Sequence, residues 1–253
     1  MRIQQVIVVS GMPFEARIAA GPDVKVVQAG YRHDLSDRIG RAIRPGCLGL
    51  VSFGVAGGLD PGLRPGDCVV ATAVIAEDRR LPTDPNWSHR VAQMLPGSVA
   101  GDILGVADPL LDPSVKNLVH RRTGAVAVDM ESHIVARVAA ARDVPLLAIR
   151  VVTDPAQRIV PRSAIAALQT DGSLSVMRML RSLIGMPGDL RGLWQAMIDL
   201  RAARATLREG RARLGHVFAH PHCDAQARPA EAATHRGARA GVLADLRVMQ
   251  RAE

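Results

Sequence analysis

Short apolar runs, each ending in polar or turn residues, recur along the first two thirds of the chain. They cover residues 6–9, 24–27, 48–53, 68–71, 125–128 and 146–152. Runs of this length that are rich in Val and Ile predict strands buried on both faces of a sheet. Between them, apolar residues at helical spacing predict helices over residues 35–43, 113–121 and 132–142. Strands that alternate with helices predict an α/β fold with a layered sheet.

Outside these elements the pattern changes. Residues 78–96 contain three prolines and are predicted to form an irregular surface segment. From residue 188 to residue 214 the apolar positions lie on one face and arginines on the other, which predicts a basic amphipathic helix. Its apolar positions are Leu190, Leu193, Trp194, Met197, Leu200, Leu207 and Leu214. We therefore expect a main domain over 1–187, this helix over 188–215, and a poorly defined tail rich in Ala, Arg and His over 216–253.

Composition narrows the possible functions. The formal net charge is +8, with much of the arginine after residue 178, whereas only 2% of the residues are aromatic. Few aromatic side chains disfavour nucleic-acid binding through base stacking, so we expect no nucleic-acid partner. Three widely spaced cysteines give no disulfide framework, which favours a cytoplasmic protein. The chain has no run of about 18 apolar residues, so we expect no membrane-spanning helix. The first apolar stretch is too short for a signal peptide.

Three carboxylates directly follow predicted strands. Glu15 follows the first, Glu131 follows the run that ends at 128, and Asp154 follows the run that ends at 152. Ligands bind at the carboxyl ends of strands in α/β sheets, and carboxylates accept hydrogen bonds from sugar hydroxyls or act as acids and bases. Each carboxylate could instead cap a helix or sit in its first turn. Residues 53–58 are predicted to form a glycine-rich turn at the end of another strand.

The sequence resembles the methylthioadenosine/S-adenosylhomocysteine nucleosidases and the related hexameric purine phosphorylases over about residues 3–184. The resemblance rests on residues 51–59 with the following Gly66-Asp67, on Asp129-Met130-Glu131-Ser132, and on Thr153-Asp154-Pro155-Ala156. It implies a single three-layer α/β domain with a mixed central sheet flanked by helices. Residues 11–17, residues 52–61 and the appended basic helix are most similar to the hopanoid-associated phosphorylases, which are thought to remove adenine from adenosylhopane.

The resemblance also implies roles for the site residues. Asp154 would protonate the purine N7, Glu131 would bind the ribose hydroxyls, and Glu15 would position the nucleophile. Met130 would pack beneath the sugar or simply fill the core. Substrate contacts are also expected from Ala56, Gly57, Leu110 and Leu111; Leu110 replaces the aromatic residue that often walls the purine in the family.

The resemblance leaves the nucleophile open between water and phosphate. Where the hexameric phosphorylases place a serine and an arginine, this chain has Ser52 and Val55. Arg32, in the preceding loop, is either a source of positive charge for phosphate or simply an exposed arginine. No cofactor is expected beyond inorganic phosphate as a possible co-substrate. The grouping of His216, His220, His222 and Cys223 is not expected to bind metal, because no opposing pair of ligands is evident.

The expected substrate is a purine nucleoside, with lipid-linked adenosylhopane favoured over methylthioadenosine or S-adenosylhomocysteine. A nucleoside-binding module without activity is the alternative from another class. The basic helix would either dock on the inner face of a membrane or pack on the core or a second subunit. A homo-oligomer is expected from the family.

Overall fold

The computed structural model describes residues 4–30, 34–159 and 190–221. It contains eight strands in these ranges: β1 Gln5–Ser10, β2 Val24–Gln28, β3 Cys47–Gly58, β4 Cys68–Ala76, β5 Arg79–Pro82, β6 Val99–Gly105, β7 Ala127–Asp129 and β8 Leu146–Asp154. The described helices are α1 Pro13–Ala19, α2 Leu35–Ala42, α3 Pro85–Met94, α4 Pro113–Thr123, α5 Ser132–Ala141 and α6 Leu190–Arg213.

The strands form one mixed sheet. β3 pairs in parallel with β1 on one side and with β8 on the other, and β2 extends the sheet beyond β1. β8 pairs antiparallel with β4, β4 and β7 each pair in parallel with β6, and β7 returns to pair antiparallel with the end of β3. These five strands therefore close on themselves, and helices pack against the sheet. The predicted α/β fold with a mixed sheet flanked by helices is confirmed.

The core is aliphatic, as the composition requires. Strands β1, β3, β4 and β8 supply buried Val, Ile, Leu and Ala side chains, and helices α2 and α5 cover them with Leu35, Ile39, Val135 and Ala139. Burial of aliphatic side chains on both faces explains why these strands read as continuous apolar runs. A smaller apolar cluster of Leu59, Leu104, Ala125 and Val128 lies beside the end of β3.

The predicted glycine-rich turn at residues 53–58 is wrong, because β3 continues as a strand to Gly58. Its glycines give room to side chains from neighbouring elements. A Cβ added at Gly54 would lie 2.5 Å from the Glu15 carboxylate, and one at Gly57 would lie 2.9 Å from that of Asp154. Glycine in this strand therefore marks close approach rather than a turn.

The prediction of an irregular segment over 78–96 is also wrong. The chain forms β5 and then α3, whose first turn is fixed by Asp84 and Pro85. The Asp84 side chain accepts a hydrogen bond from the backbone N–H of Trp87 at 2.8 Å, and proline suits the first position of a helix. Residues that resemble turn signals here begin a helix. Strand β6 was not predicted.

Helix α6 packs against α1 and β8. Leu193, Leu207 and Leu214 of the predicted apolar face are buried, whereas Trp194 and Met197 are 65% and 53% exposed. Just after α6, Phe218 is buried edge-on against Phe53, and its carbonyl accepts a hydrogen bond from Trp87 Nε1 at 2.7 Å. The chain divides into two compact units, residues 1–219 and 220–253. Beyond Pro221 the second unit lies outside the described residues.

Candidate active site

The three predicted carboxylates lie around the last residues of β3. Glu15 is in the first turn of α1, directly after β1. Glu131 precedes the first residue of α5, and Asp154 is the last residue of β8. Because β1, β3 and β8 are parallel neighbours, their carboxyl ends meet at one edge of the sheet. Glu15 bonds to Val55 and Asp154 lies against Gly57, so their points of contact are about 7 Å apart along the strand.

Glu15 is buried, and backbone groups orient its carboxylate. One oxygen accepts a hydrogen bond from the N–H of Met12 at 2.7 Å, and the other accepts from the N–H of Val55 at 2.8 Å. Burial raises the pKa of Glu15 above its ordinary value, while the Arg150 charge and these N–H groups act in the opposite direction. The side chain therefore reaches from the first turn of α1 to the end of β3.

A buried arginine on β8 organises the centre of the site. Arg150 Nε lies 2.5 Å from Asp129 Oδ2, and its Nη2 donates to Ser52 Oγ at 2.6 Å. The Ser132 hydroxyl is shared between Ser52 Oγ, at 2.9 Å, and Asp129 Oδ2. The arginine charge is thus neutralised by Asp129 within a network closed to solvent.

Glu131 stands at the N-cap position of α5 without capping it through its side chain. The N-terminal N–H of Ser132 instead donates to Asp129 Oδ1 at 3.0 Å. The Glu131 carboxylate lies 3.8 Å from Arg150 Nη2 and 3.1 Å from where a Cβ on Gly11 would be. Glu131 is therefore held beside the end of β1, close to the Arg150 network.

Asp154 forms an ion pair with a buried lysine. Lys116 Nζ donates to Asp154 Oδ2 at 2.6 Å and to the carbonyl of Pro155 at 3.3 Å, while the Thr153 hydroxyl donates to Oδ1 at 3.1 Å. The Asp154 side chain remains 28% exposed, whereas that of Lys116 is fully buried. Burial raises the pKa of Asp154 above its ordinary value, and Lys116 is the strongest influence that lowers it.

Lys116 is positioned by α4. The helix begins where the Asp112 side chain accepts a hydrogen bond from Ser114 N at 2.7 Å, with Pro113 in its first turn. It ends at Gly124, whose φ of 70° is the left-handed conformation that suits glycine at a helix C-terminus. The second turn of α4 carries Lys116 towards the end of β8.

The remaining predicted residues are placed as follows. Ala56 is buried, and its carbonyl accepts a hydrogen bond from the Thr153 hydroxyl at 3.3 Å. Met130 and Leu111 are half-buried. Leu110 packs against the small apolar cluster beside β3, so it belongs partly to the core. Arg32 lies outside the described residues.

Two residues of this centre, Lys116 and Arg150, were not predicted. Arg150 stands alone in the apolar run 146–152, and a charge inside a buried strand requires a partner. That signal could have identified Arg150 and, through it, Asp129. Lys116 gives no such signal, because lysine on an amphipathic helix is usually solvated.

The arrangement is suited to acid–base chemistry on a polar ligand. Asp154 is partly exposed and has a raised pKa, which favours the protonated form that donates a proton. Glu131 and Glu15 supply hydrogen-bond acceptors close to Arg150. Within the described ranges no cluster of three or more His, Cys, Asp or Glu is arranged to hold a metal ion, and no helix there has the length and apolarity to cross a bilayer.

Comparison with known proteins gives a family match and several similar proteins. Residues 6–184 match the phosphorylase superfamily. The 5'-methylthioadenosine/S-adenosylhomocysteine nucleosidases of Mycobacterium bovis and Mycobacterium tuberculosis are each 32% identical over 156 residues, which is 45% of this chain and 61% of the relative. The chain thus spans 61% of the length of these curated relatives.

Two solved structures illustrate the shared fold. The futalosine hydrolase of Helicobacter pylori has a TM-score of 0.56 and 16% identity, over 72% of this chain and 98% of the other. The 5'-methylthioadenosine/S-adenosylhomocysteine nucleosidase of Campylobacter jejuni has a TM-score of 0.53 and 17% identity, over 81% of this chain and 99% of the other. At these identities the similarity concerns the fold alone.

Proposed function

The chain belongs to the phosphorylase superfamily, and on that premise we propose that it cleaves the N-glycosidic bond of an adenosine-type nucleoside and releases adenine. The observation that carries this proposal is the partly exposed Asp154 carboxyl group at the end of β8, whose pKa is raised by burial. A protonated carboxyl group at this edge of the sheet can donate a proton to a departing base.

Each carboxylate has a role in the proposed reaction. Cleavage passes through a transition state in which positive charge develops on the ribose. Asp154 donates its proton to N7 of the adenine, so that the base leaves as a neutral group. Glu131 accepts hydrogen bonds from the ribose hydroxyls and places negative charge beside the developing cation. Glu15, whose two oxygens are held by Met12 and Val55, orients the nucleophile.

The contacts around β3 favour water over phosphate as the nucleophile. A phosphate site needs arginine or hydroxyl groups that are open to the ligand. Ser52 is fully buried and already bonded to Arg150, and Arg150 is itself paired with Asp129. Both groups are therefore engaged within the protein in the described part of the chain.

We favour adenosylhopane as the substrate, which would give the protein a role in hopanoid biosynthesis. A lipid-linked adenosine needs an apolar surface outside the site. Ile159, five residues after Asp154, is 68% exposed, and Trp194, Met197 and Ile198 of α6 are also exposed. The ion pair between Arg158 and Asp199 joins these two segments, so the exposed apolar side chains belong to neighbouring parts of the surface.

Methylthioadenosine or S-adenosylhomocysteine is the second candidate substrate. It is favoured by the names of the mycobacterial relatives, which are 32% identical to this chain. A nucleoside-binding module without activity is disfavoured because Glu15, Glu131 and Asp154 surround one strand end, an arrangement that simple binding does not require.

Adenine release tests the proposal. Methylthioadenosine and adenosylhopane would each be incubated with the protein, with and without phosphate, and adenine measured by chromatography. Asp154→Asn should reduce release by about 100-fold or more, which is the scale of a lost general acid. Asp37→Asn is the matched control, because Asp37 is exposed on α2. Release that requires phosphate would make the enzyme a phosphorylase, and no release from either nucleoside would contradict the proposal.

A lipid-linked substrate would also bring the protein to a membrane. We propose peripheral contact of a cytoplasmic homo-oligomer with the inner membrane face, through the exposed apolar side chains of the basic helix α6. Flotation with vesicles should be reduced by Trp194→Ser combined with Met197→Ser, because both side chains are exposed and available to an interface. Equal flotation of variant and wild type would contradict this contact, and sedimentation equilibrium would measure the assembly.

A further inference from the structure

A basic cleft lies between α1 and α6, apart from the candidate active site. It has a volume of about 570 Å³. Its lining includes the guanidinium-bearing residues Arg17, Arg204, Arg208 and Arg211 together with Phe14 and His216. Glu15, Glu131 and Asp154 do not line it. Four arginines therefore surround a space that the proposed reaction does not use.

The described residues bring no compensating negative charge into the cleft. No acidic residue lines it, and none of its four arginines forms an ion pair with another described residue. Arg17 donates to the carbonyl of Pro13 at 3.2 Å, and Arg208 is exposed. The guanidinium of Arg204 lies 4.8 Å from the centre of the Phe14 ring. Within the described ranges, these positive charges are therefore not neutralised by a carboxylate.

Arg211 is fixed in the cleft by hydrogen bonds and by an aromatic ring. It donates to the carbonyls of Ala19, at 3.0 Å, and of Gly215, and it stacks 4.5 Å above the Phe218 ring. The Arg211 guanidinium packs against Gly21, where any larger residue would collide with it, because a Cβ at that position would lie 2.7 Å from Arg211 Nη2. Partial burial lowers the pKa of Arg211, as expected for a charged group that has lost water without gaining a carboxylate.

We propose that the basic cleft is a binding site for a phosphate group. Guanidinium groups bind phosphate through paired, charge-assisted hydrogen bonds, and several converging arginines are the usual protein ligands for it. The three arginines of α6 are spaced at positions 204, 208 and 211, so they share one helical face towards α1. The phosphate could be carried by a soluble ligand or by a lipid headgroup, which present the same chemistry to the cleft.

Phosphorus NMR of inorganic phosphate, titrated with the full chain at constant ionic strength, measures the site directly. The test variant is Arg17→Gln with Arg208→Gln, since both side chains are exposed and their loss should leave the fold intact. The control is Arg191→Gln with Arg201→Gln, which removes the same charge from exposed positions of α6 outside the cleft. We expect at least about tenfold weaker binding in the test variant and unchanged binding in the control. No binding by wild type, or equal weakening in both double variants, would overturn the proposal.

Vesicles distinguish the two sources of phosphate. Wild type and both double variants would be floated with phosphatidylglycerol vesicles and with phosphatidylcholine vesicles. Given a phosphate site in the titration, loss of phosphatidylglycerol binding only in the test variant identifies a headgroup, and equal vesicle binding in both variants identifies a soluble ligand. Adenine release is expected to be the same in both variants, so this test stands independently of the proposed activity.

Discussion

Asp154 is subject to two opposing influences that can be separated by substitution. Burial raises its pKa, and the Lys116 ammonium lowers it. If Asp154 acts in its protonated form, activity falls as the pH rises through this pKa. Lys116→Met removes the cation and destabilises the carboxylate, so the pKa of Asp154 should rise and the alkaline limb of kcat should move to higher pH. Lys116→Arg keeps the charge and should keep the limb near its wild-type position.

The pH profile distinguishes this role of Lys116 from simple packing. A lysine that only filled space would change the amplitude of kcat or the stability without moving the limb. Rates of adenine release across the alkaline range, measured with saturating nucleoside, provide the comparison. An unshifted limb in a folded Lys116→Met variant would mean that Lys116 does not control the protonation of Asp154.

Arg150 should contribute mainly to stability. Its substitution by Met leaves Asp129 buried without its cation, and breaking a buried pair in this way typically costs about 3–5 kcal/mol. Urea unfolding should therefore show a large decrease in the free energy of unfolding. Arg41→Met, at an exposed position on α2, should change it by less than about 0.5 kcal/mol. Similar effects of the two substitutions would mean that the network around Arg150 is not important for stability.

The sequence predicted the three carboxylates of the candidate site but not the residues that pair with them, and the reason is physical. Glu15, Glu131 and Asp154 each follow an apolar run, so the general geometry of α/β sheets places them at strand ends. Their partners come from elsewhere: Lys116 lies 38 residues from Asp154 along the chain. Such a contact depends on how α4 is packed, which no local pattern of residues specifies.

At the scale of elements, close packing of α5 on β6 controls the position of Glu131. A Cβ added at Gly105 would lie 2.3 Å from His133 Cβ and 2.7 Å from its backbone nitrogen. Gly105→Ala must therefore move the start of α5, and overpacking of this kind costs about 1–3 kcal/mol. Because Glu131 directly precedes α5, KM for the nucleoside should rise as well. Denaturant unfolding and adenine-release kinetics measure the two effects.

A glycine in α6 provides the matched control. A Cβ at Gly210 would lie 3.5 Å from Leu95 Cδ2, an ordinary contact. Gly210→Ala should stabilise the protein by about 0.5–1 kcal/mol, because alanine is the better helix former. If Gly105→Ala proved as harmless as Gly210→Ala, the packing of α5 would be more adaptable than the structure indicates.

The elements themselves were predictable where one periodicity dominated. Strands β1, β2 and β8 and helices α2, α4 and α5 follow their apolar patterns closely. The C-terminal half of β3 did not, because its glycines accommodate Glu15 and Asp154 and so lack the branched side chains typical of strands. Helix α3 was missed because Asp84 and Pro85 suit a turn as well as a helix start.

At the scale of the whole molecule, α6 and the residues after it complete the core of the described chain. Leu193, Leu207 and Leu214 are buried, and Phe218 fills a space between Phe53 and Arg211. The amphipathic pattern predicted a helix but left open whether its apolar face met the protein or a membrane. In the structure, one part of that apolar face is buried against the protein, whereas Trp194 and Met197 remain exposed.

Because Phe218 is buried and Trp194 is exposed, substituting these two aromatic residues should change the free energy of unfolding by very different amounts. Phe218→Ala leaves a cavity beside Phe53 and should decrease the free energy of unfolding by about 3–5 kcal/mol. Trp194→Ala, at an exposed position, should change it by less than about 0.5 kcal/mol. Urea unfolding followed by circular dichroism measures both. If the region after α6 were a separate appendage, Phe218→Ala would leave the main transition unchanged; a shift of that whole transition instead means that the C-terminal helix and the sheet unfold together.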